Sequence, residues 1–158
     1  MLKIIIVIIA LALIAVFVQR NIANKKSASE NIEKGNEFLD ANKTKDGVKT
    51  TASGLQYLVL NPGTGSEHPS STDHVKVHYH GTLIDGTIFD SSVDRGAAIE
   101  FGLHQVIPGW TEGLQLMVVG EKTRLFIPSN LAYGNRNMGI ISSGSTLIFD
   151  VELLDIIK

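Results

Sequence analysis

The sequence predicts an α+β fold in which a twisted antiparallel sheet of five or six strands wraps around one short helix, preceded by an N-terminal membrane helix. Three observations support this prediction. The chain begins with an unbroken apolar run, its second half contains short segments in which apolar and polar residues alternate, and one stretch there has helical spacing. We expect residues 1–20 to be a transmembrane anchor or uncleaved signal, residues 21–52 a polar linker with a short helix, and residues 53–158 the folded domain.

The composition fits one globular domain with an appendage and excludes several function classes. The chain has 158 residues, of which 44% are hydrophobic and 19% charged. It has no Cys, which excludes disulfide scaffolds, thiolate nucleophiles and cysteine-ligated zinc. The formal net charge of -2 gives no basic surface for a phosphate backbone, so we expect no nucleic acid partner.

The apolar run begins at Ile4 and ends at Val18 without a charged or polar side chain. As a helix it would reach about 22 Å, and snorkelling by the flanking Lys3 and Arg20 can extend it towards a hydrocarbon core of about 30 Å. A cleavable signal peptide is the alternative, with Ala-Leu-Ala at positions 10–12 as its only fair cleavage site. Basic residues flank the run on both sides, and their count favours only weakly a cytoplasmic position for the C-terminal domain.

The linker contains one helix signal. Ser27 followed by Glu30 matches a capping box, which predicts a helix over residues 28–43 that ends before Gly47. Gly35 weakens this helix. Its thin apolar stripe indicates a solvated spacer, although the stripe could also lie against the following domain or pair with a second copy.

The folded domain is predicted from alternation and turn signals. Leu55, Tyr57 and Val59 alternate along a strand that stops at a turn containing Asn61, Pro62 and Gly63. Further strands are predicted by alternating positions, namely Val75, Val77 and Tyr79, then Ile99, Phe101 and Leu103, and another begins with Thr123, Leu125 and Ile127. An Asp-Gly pair at 85–86 predicts a hairpin before residues 87–90, and residues 146–153 form the last strand.

One short helix is expected inside this region. Trp110, Leu114 and Met117 fall at positions i, i+4 and i+7, with Pro108 before them and Gly120 after them. Two turns are marginal in water, so the helix has to be stabilised by burying these side chains against the apolar face of the sheet.

Conventional catalytic patterns are absent from the sequence. It contains neither a complete phosphate-binding loop nor a Gly-x-Ser-x-Gly elbow. His74, His78 and His80 share one strand face by parity and could hold a divalent metal ion, but we favour a solvent-facing polar side. We therefore expect neither a metal nor another cofactor.

Four motifs carry a family resemblance. The runs VKVHYHGTLIDGTIFDSS, QVIPGWTEGLQLM, LAYG and TLIFDVELL resemble the FKBP-type peptidyl-prolyl cis-trans isomerases in order and spacing over residues 53–158. The linker run GNEFLDANKTKDGVKTTASGLQY is similar to that of the bacterial macrophage infectivity potentiator-like group within this family.

The resemblance implies an FKBP-like fold, isomerase activity on X-Pro bonds and a set of site residues. Asp90, Tyr133 and Ile107 would be catalytic, with the Tyr133 hydroxyl meeting a substrate carbonyl and Asp90 lying against Tyr79 and Arg95. The residues that would bind the proline-containing substrate are Tyr79, Phe89, Arg95, Phe101, Val106, Trp110, Ile140, Ile141 and Phe149. Composition alone would instead favour core packing for the aromatic side chains.

The expected function is acceleration of X-Pro isomerisation during protein folding at a membrane face. Expected partners are proline-containing polypeptides, the membrane and macrolide inhibitors. The alternatives are a membrane-anchored proline-binding chaperone module with little catalysis and a metal-responsive module that uses the three histidines. The resemblance favours the extracytoplasmic, periplasmic side of a single-pass membrane protein.

Overall fold

The structure is a computed structural model that describes residues 2–158, without the side chains of residues 2–5, 7 and 8. Two 3₁₀ turns, Leu103–Gln105 and Ser129–Leu131, lie between the regular elements. The helices are α1 (Leu2–Asn42), α2 (Ser92–Arg95) and α3 (Pro108–Leu114). The strands are β1 (Lys49–Thr50), β2 (Gln56–Asn61), β3 (His74–Leu83), β4 (Ile88–Ser91), β5 (Ile99–Gly102), β6 (Lys122–Ile127) and β7 (Leu147–Ile157).

The strands form one antiparallel sheet in the order β1-β2-β6-β7-β3-β4, and β5 also pairs with β3. The α+β architecture with an antiparallel sheet is confirmed, but the sheet has seven strands rather than five or six. The prediction missed β1 because two residues are too few to show alternation. In β3 the burial alternates as the sequence predicted, with Val75 and Val77 buried and the histidines on the other face.

Helix α3 crosses the inner face of the sheet and buries its apolar side chains there. Trp110 and Leu114 of α3 are buried, and so is Met117, which lies three residues beyond the C-terminal end of the helix. The two glycines of α3 allow the close approach: a Cβ on Gly113 would lie 2.7 Å from a Leu125 methyl group. The predicted helix is therefore present but ends at Leu114, before the predicted stop at Gly120, and it packs Trp110 against the sheet.

Helix α1 is longer than predicted. The expected linker helix over residues 28–43 does not begin at Ser27, because α1 is continuous from Leu2 to Asn42. A capping residue acts only where the backbone leaves the helix, and no Gly or Pro interrupts the chain before Gly35. Gly35 itself is buried against Thr146, where a Cβ would lie 2.2 Å from the Thr146 hydroxyl oxygen.

The C-terminal part of α1 lies on the outer face of the sheet, opposite α3. The Phe38 ring lies 6.0 Å from that of Phe126 on β6. The Asn42 amide donates to the Gln56 side chain at 2.9 Å, and Gln56 in turn donates to the Leu39 carbonyl at 2.9 Å. The favoured prediction of a solvated spacer is therefore wrong, and the alternative that this helix lies against the folded domain is confirmed.

The predicted membrane helix of residues 1–20 falls partly on Met1 and on side chains outside the described residues. Among the residues that the structure does describe, no helix combines the length and the apolar character needed to cross a membrane. The apolar side chains described in this part of α1 are exposed, including Leu13 at 65% and Phe17 at 68%.

Candidate active site

A cavity of about 640 Å³ opens at one end of the sheet, between β4, the start of α3 and the loop that follows the Ser129–Leu131 turn. Nearly all the side chains that the sequence singled out line it. They are Tyr79, Phe89, Asp90, Phe101, Val106, Ile107, Trp110, Tyr133, Ile141 and Phe149.

Trp110 forms the floor of this cavity and is surrounded by aromatic rings. Its ring centroid lies 5.3 Å from Tyr79 and 5.1 Å from Phe149, both nearly perpendicular to it, and 5.3 Å from Phe101. Edge-to-face pairs of this kind contribute about 0.5–1.5 kcal/mol each beyond the area they bury. Because Trp110 stands in the first turn of α3, the helix and the ring cluster together hold the indole in one orientation.

The indole N–H of Trp110 is buried and has no hydrogen-bond partner among the described residues. An unpaired buried donor costs about 1–3 kcal/mol. The floor of the cavity is thus an apolar surface that keeps a polar atom away from water.

One wall carries a charged network of Tyr79, Asp90 and Arg95. The Tyr79 hydroxyl donates to one Asp90 carboxylate oxygen, Arg95 Nη1 donates to the other, and Arg95 Nη2 donates to the Tyr79 oxygen at 3.0 Å. Burial disfavours the charged form of Asp90, but the hydrogen bonds from Tyr79 and Arg95 outweigh it and lower the pKa of this carboxyl. Burial, followed by the hydrogen bond to Asp90, raises the pKa of the Tyr79 hydroxyl. Near neutral pH the wall therefore presents a carboxylate held by a neutral phenol and a guanidinium.

Helix α2 positions this network. The Ser91 hydroxyl caps its N-terminus by accepting from the Asp94 amide at 3.1 Å, and Gly96 ends it in the left-handed conformation with φ 67°. The buried Ser92 hydroxyl accepts from the Tyr79 amide at 2.8 Å, which ties α2 to β3. No periodic pattern in the sequence predicts α2, because one helical turn is too short to show one.

The opposite wall is formed by the segment that leads into α3 and by the loop that carries Tyr133. The Ile107 carbonyl accepts from the amides of Trp110 at 2.9 Å and Thr111 at 3.2 Å, and so begins the helix. Across residues 2–158, the Ile107 amide N–H itself donates to no backbone acceptor. Tyr133 is half-buried and faces the same cavity, so a hydroxyl and an amide donor flank the aromatic floor.

Two of the sequence-predicted residues lie elsewhere. Arg95 does not line the cavity and reaches the site only through Asp90 and Tyr79. Ile140 is 59% exposed and outside the lining, whereas its neighbour Ile141 is buried in it. Met138 and Ile141 pair as an antiparallel bridge, so their side chains lie on the same side. The side chain of Ile140, next to Ile141, lies on the opposite side.

Sequence reasoning missed several lining residues. Ile99 could have been found, because it alternates with Phe101 and so shares its face of β5. The irregular loop residues gave no periodic signal. The other lining residues not predicted are Gln105, Pro108, Ala132, Arg136 and Met138.

The three histidines of β3 are engaged separately. His78 Nδ1 lies 3.0 Å from the Ser92 hydroxyl and His80 Nδ1 lies 2.9 Å from the Ser91 hydroxyl, while His74 stacks edge-on against His104. Among the described residues, no group of three or more His, Asp or Glu side chains is arranged to hold a metal ion. The structure therefore gives no support to the metal-binding alternative.

Comparisons with known proteins identify the family. Residues 65–154 match the family described as FKBP-type peptidyl-prolyl cis-trans isomerase, and residues 9–59 match the domain amino-terminal to it. The chain belongs to the FKBP-type peptidyl-prolyl cis-trans isomerase family. This confirms the resemblance predicted from the sequence motifs.

Relatives in this family cover most of the chain. The chain is 61% identical over 133 residues to the FKBP-type isomerase FkpA of Aeromonas hydrophila, covering 84% of this chain and 49% of that protein. It is 48% identical over 141 residues to the outer membrane protein MIP of Legionella longbeachae, covering 89% of this chain and 60% of that protein. The chain thus spans about half to three-fifths of the length of these relatives.

Solved structures show the same fold. The crystal structure of FkpA from Escherichia coli superposes with a TM-score of 0.84 at 44% identity, covering 92% of this chain and 70% of that one. A peptidyl-prolyl cis-trans isomerase from Pseudomonas syringae superposes with a TM-score of 0.76 at 38% identity, covering 83% of this chain and 96% of that one.

Proposed function

We propose that the chain is a peptidyl-prolyl cis-trans isomerase that accelerates X-Pro isomerisation in polypeptides during folding. The observation that carries this proposal is the aromatic-floored cavity, in which an apolar platform lies between hydrogen-bond donors on one side and a fixed carboxylate on the other. Family membership supports the same reaction.

The reaction needs no nucleophile, because no bond to the substrate is made or broken. Rotation about a peptide bond has a barrier of about 18–20 kcal/mol, since resonance stiffens the amide. Water solvates the polar planar amide better than the twisted one, so a dry aromatic cavity removes part of the barrier. Each tenfold acceleration requires about 1.4 kcal/mol of further stabilisation of the twisted state.

The proposed roles follow from position. Trp110 provides the surface on which the proline ring rests, and the Ile107 amide and the Tyr133 hydroxyl donate to substrate carbonyl groups. The Asp90 carboxylate stabilises the twisted amide, because the carbonyl carbon is more electropositive in the twisted state than in the planar one. Arg95 and Tyr79 hold that carboxylate in place.

The test is the cis-to-trans rate of a short X-Pro peptide with catalytic amounts of the full chain in detergent. We expect clear acceleration that is strongly reduced in Trp110→Ala and Asp90→Ala. Tyr57→Ala and Asp155→Ala are matched controls, because both side chains lie outside the cavity. Acceleration that survives Trp110→Ala would overturn the assignment of the site. Peptide binding without acceleration would instead favour the alternative of a proline-binding chaperone module.

We further propose that this activity operates at the extracytoplasmic face of a membrane. Residues 1–20 would be the anchor, residues 21–52 the linker and residues 53–158 the isomerase domain. Two observations support this: the described apolar side chains near the N-terminus are exposed, and one relative is called an outer membrane protein. Flotation of the full chain with lipid vesicles, lost on deletion of residues 1–20, is the expected result. Equal recovery of both chains in the soluble fraction would contradict the proposal.

We also propose that macrolide inhibitors of the family compete for this cavity. Its aromatic floor and flanking donors suit a ligand that presents a ring and carbonyl groups together. Competition with the peptide substrate, lost in Trp110→Ala, is the expected result.

A further inference from the structure

Helix α1 contacts the loop that carries one wall of the candidate site. The Asn31 side-chain amide donates to the Ser143 carbonyl at 2.8 Å and to the Ser142 hydroxyl at 3.0 Å. Two helical turns earlier, Asn24 accepts a hydrogen bond of 2.5 Å from the Ser143 hydroxyl. Residues seven apart lie on the same face of a helix, so both asparagines face one segment of the loop.

The backbones of the helix and the loop approach closely at this point. Ala28, between the two asparagines, is 4% exposed. A Cβ on Gly144 would lie 2.3 Å from the Ala28 carbonyl oxygen, and Gly144 has a φ of 78° that side chains other than Gly rarely adopt. Ser143 is completely buried. The contact is therefore a fitted, directional interface rather than a loose apolar one.

The segment held by α1 is the base of the active-site loop. The Gly144 amide donates to the Gly134 carbonyl at 2.8 Å, which closes the loop one residue after Tyr133. At the other end, Ser142 directly follows Ile141, whose carbonyl accepts from the Met138 amide at 2.8 Å. Tyr133 thus precedes a residue bonded to Gly144, and Ile141 precedes Ser142, so both border the turn that Asn31 contacts.

We propose that Asn31 is a positioning residue of the isomerase site, supported by Asn24, and that it holds the loop over residues 134–145 in the form that completes the cavity. The proposal rests on the isomerase function proposed above. Asn31 does not line the cavity. It acts on the site only through its hydrogen bonds to Ser142 and Ser143. Without it the loop spends less time in the closed arrangement that Tyr133 and Ile141 need.

The kinetic signature of this role differs from that of a catalytic residue. When only a fraction of the free protein is competent, the apparent affinity falls by that fraction. Bound substrate restores the closed loop, so the rate at saturation is nearly unchanged. A residue that merely stabilises the fold would change neither parameter at a temperature where the variant is folded.

The test compares Asn31→Ala and Asn31→Asp with Asn36→Ala in the full chain. Asn31→Asp keeps the size of the side chain but replaces the donating amide by a carboxylate oxygen, which repels the Ser143 carbonyl. Asn36 is an exposed asparagine on the same helix and is the matched control. The measurements are kcat and KM for a short X-Pro peptide and hydrogen exchange of residues 134–145.

We expect both Asn31 variants to raise KM about three- to tenfold with kcat within about twofold of wild type, and to speed hydrogen exchange in the loop. Asn36→Ala leaves all three unchanged. Wild-type KM and loop exchange in both Asn31 variants would overturn the proposal, as would a fall in kcat alone. If the wild-type chain fails to accelerate the peptide, the proposed function fails, and loop exchange still decides whether Asn31 holds the loop.

Discussion

The unpaired indole N–H of Trp110 leads to a prediction about stability. In Trp110→Phe, the smaller ring buries about 50 Å² less apolar surface, which costs about 1.2 kcal/mol. The void left beside the smaller ring adds about 1 kcal/mol to this destabilisation. Removing the buried indole N–H, which has no partner among the described residues, stabilises the folded state by about 1–3 kcal/mol. The free energy of unfolding of Trp110→Phe should therefore lie within about 1.5 kcal/mol of wild type, by the sum of these magnitudes.

Trp110→Ala has no such compensation. Truncation of a buried Trp costs about 3–5 kcal/mol, and the edge-to-face pairs with Tyr79 and Phe149 are lost as well. Urea unfolding, followed by circular dichroism because the fluorescent side chain is replaced, measures both variants against wild type. Equal destabilisation by Phe and Ala would refute the reasoning, because it would mean that the indole N–H contributes to stability instead of reducing it.

Further predictions concern the polar wall and the docking of α1. Tyr133→Phe should retain most of the isomerase rate, because the Ile107 amide still donates, whereas Asp90→Ala should lose clearly more; the peptide assay compares them. Because the pKa of Asp90 is lowered, its contribution to stability is present above about pH 4 and disappears as the pH falls through the lowered value. The difference in urea midpoint between wild type and Asp90→Asn should therefore shrink below pH 4, and a constant difference would contradict this. Gly35→Ala should destabilise the chain by about 1–3 kcal/mol, because the new Cβ meets the Thr146 hydroxyl, although Ala favours a helix. Thr146→Ala should recover part of that loss in a double-mutant cycle.

Strand alternation and turn signals predicted most of the domain from the sequence. The alternation of Val75, Val77 and Tyr79 with histidines fixed the faces of β3, because strand parity depends only on local sequence. The hairpin at Gly86 formed as expected, with the Leu83 amide donating to Thr87. Features that depend on contacts distant in sequence were not predictable in this way, such as the pairing of β5 with β3.

The predicted start of the linker helix shows the same limit more clearly. Ser27 looked like a helix start because it has the right partner three residues later, but local sequence cannot say whether the backbone before it is helical. In the structure the nearby polar residues face the loop instead, as Asn31 does at Ser142 and Ser143. In the site, the identity of the aromatic residues followed from family motifs, whereas Arg136 and Met138 lie in an irregular loop whose path only the three-dimensional structure gives.

The two walls of the cavity are held by different kinds of contacts. The wall with Asp90 is built on β4 and α2, which are tied to β3 by strand pairing and by the buried Ser92 hydroxyl. The wall with Tyr133 lies on a loop whose base is held by the Gly134–Gly144 hydrogen bond and by Asn31 of α1. Preorganised donors contribute to catalysis only when their supporting contacts hold them in place. Deleting α1 should therefore disturb the donors of the Tyr133 wall more than the carboxylate wall, because α1 contacts the loop that carries Tyr133.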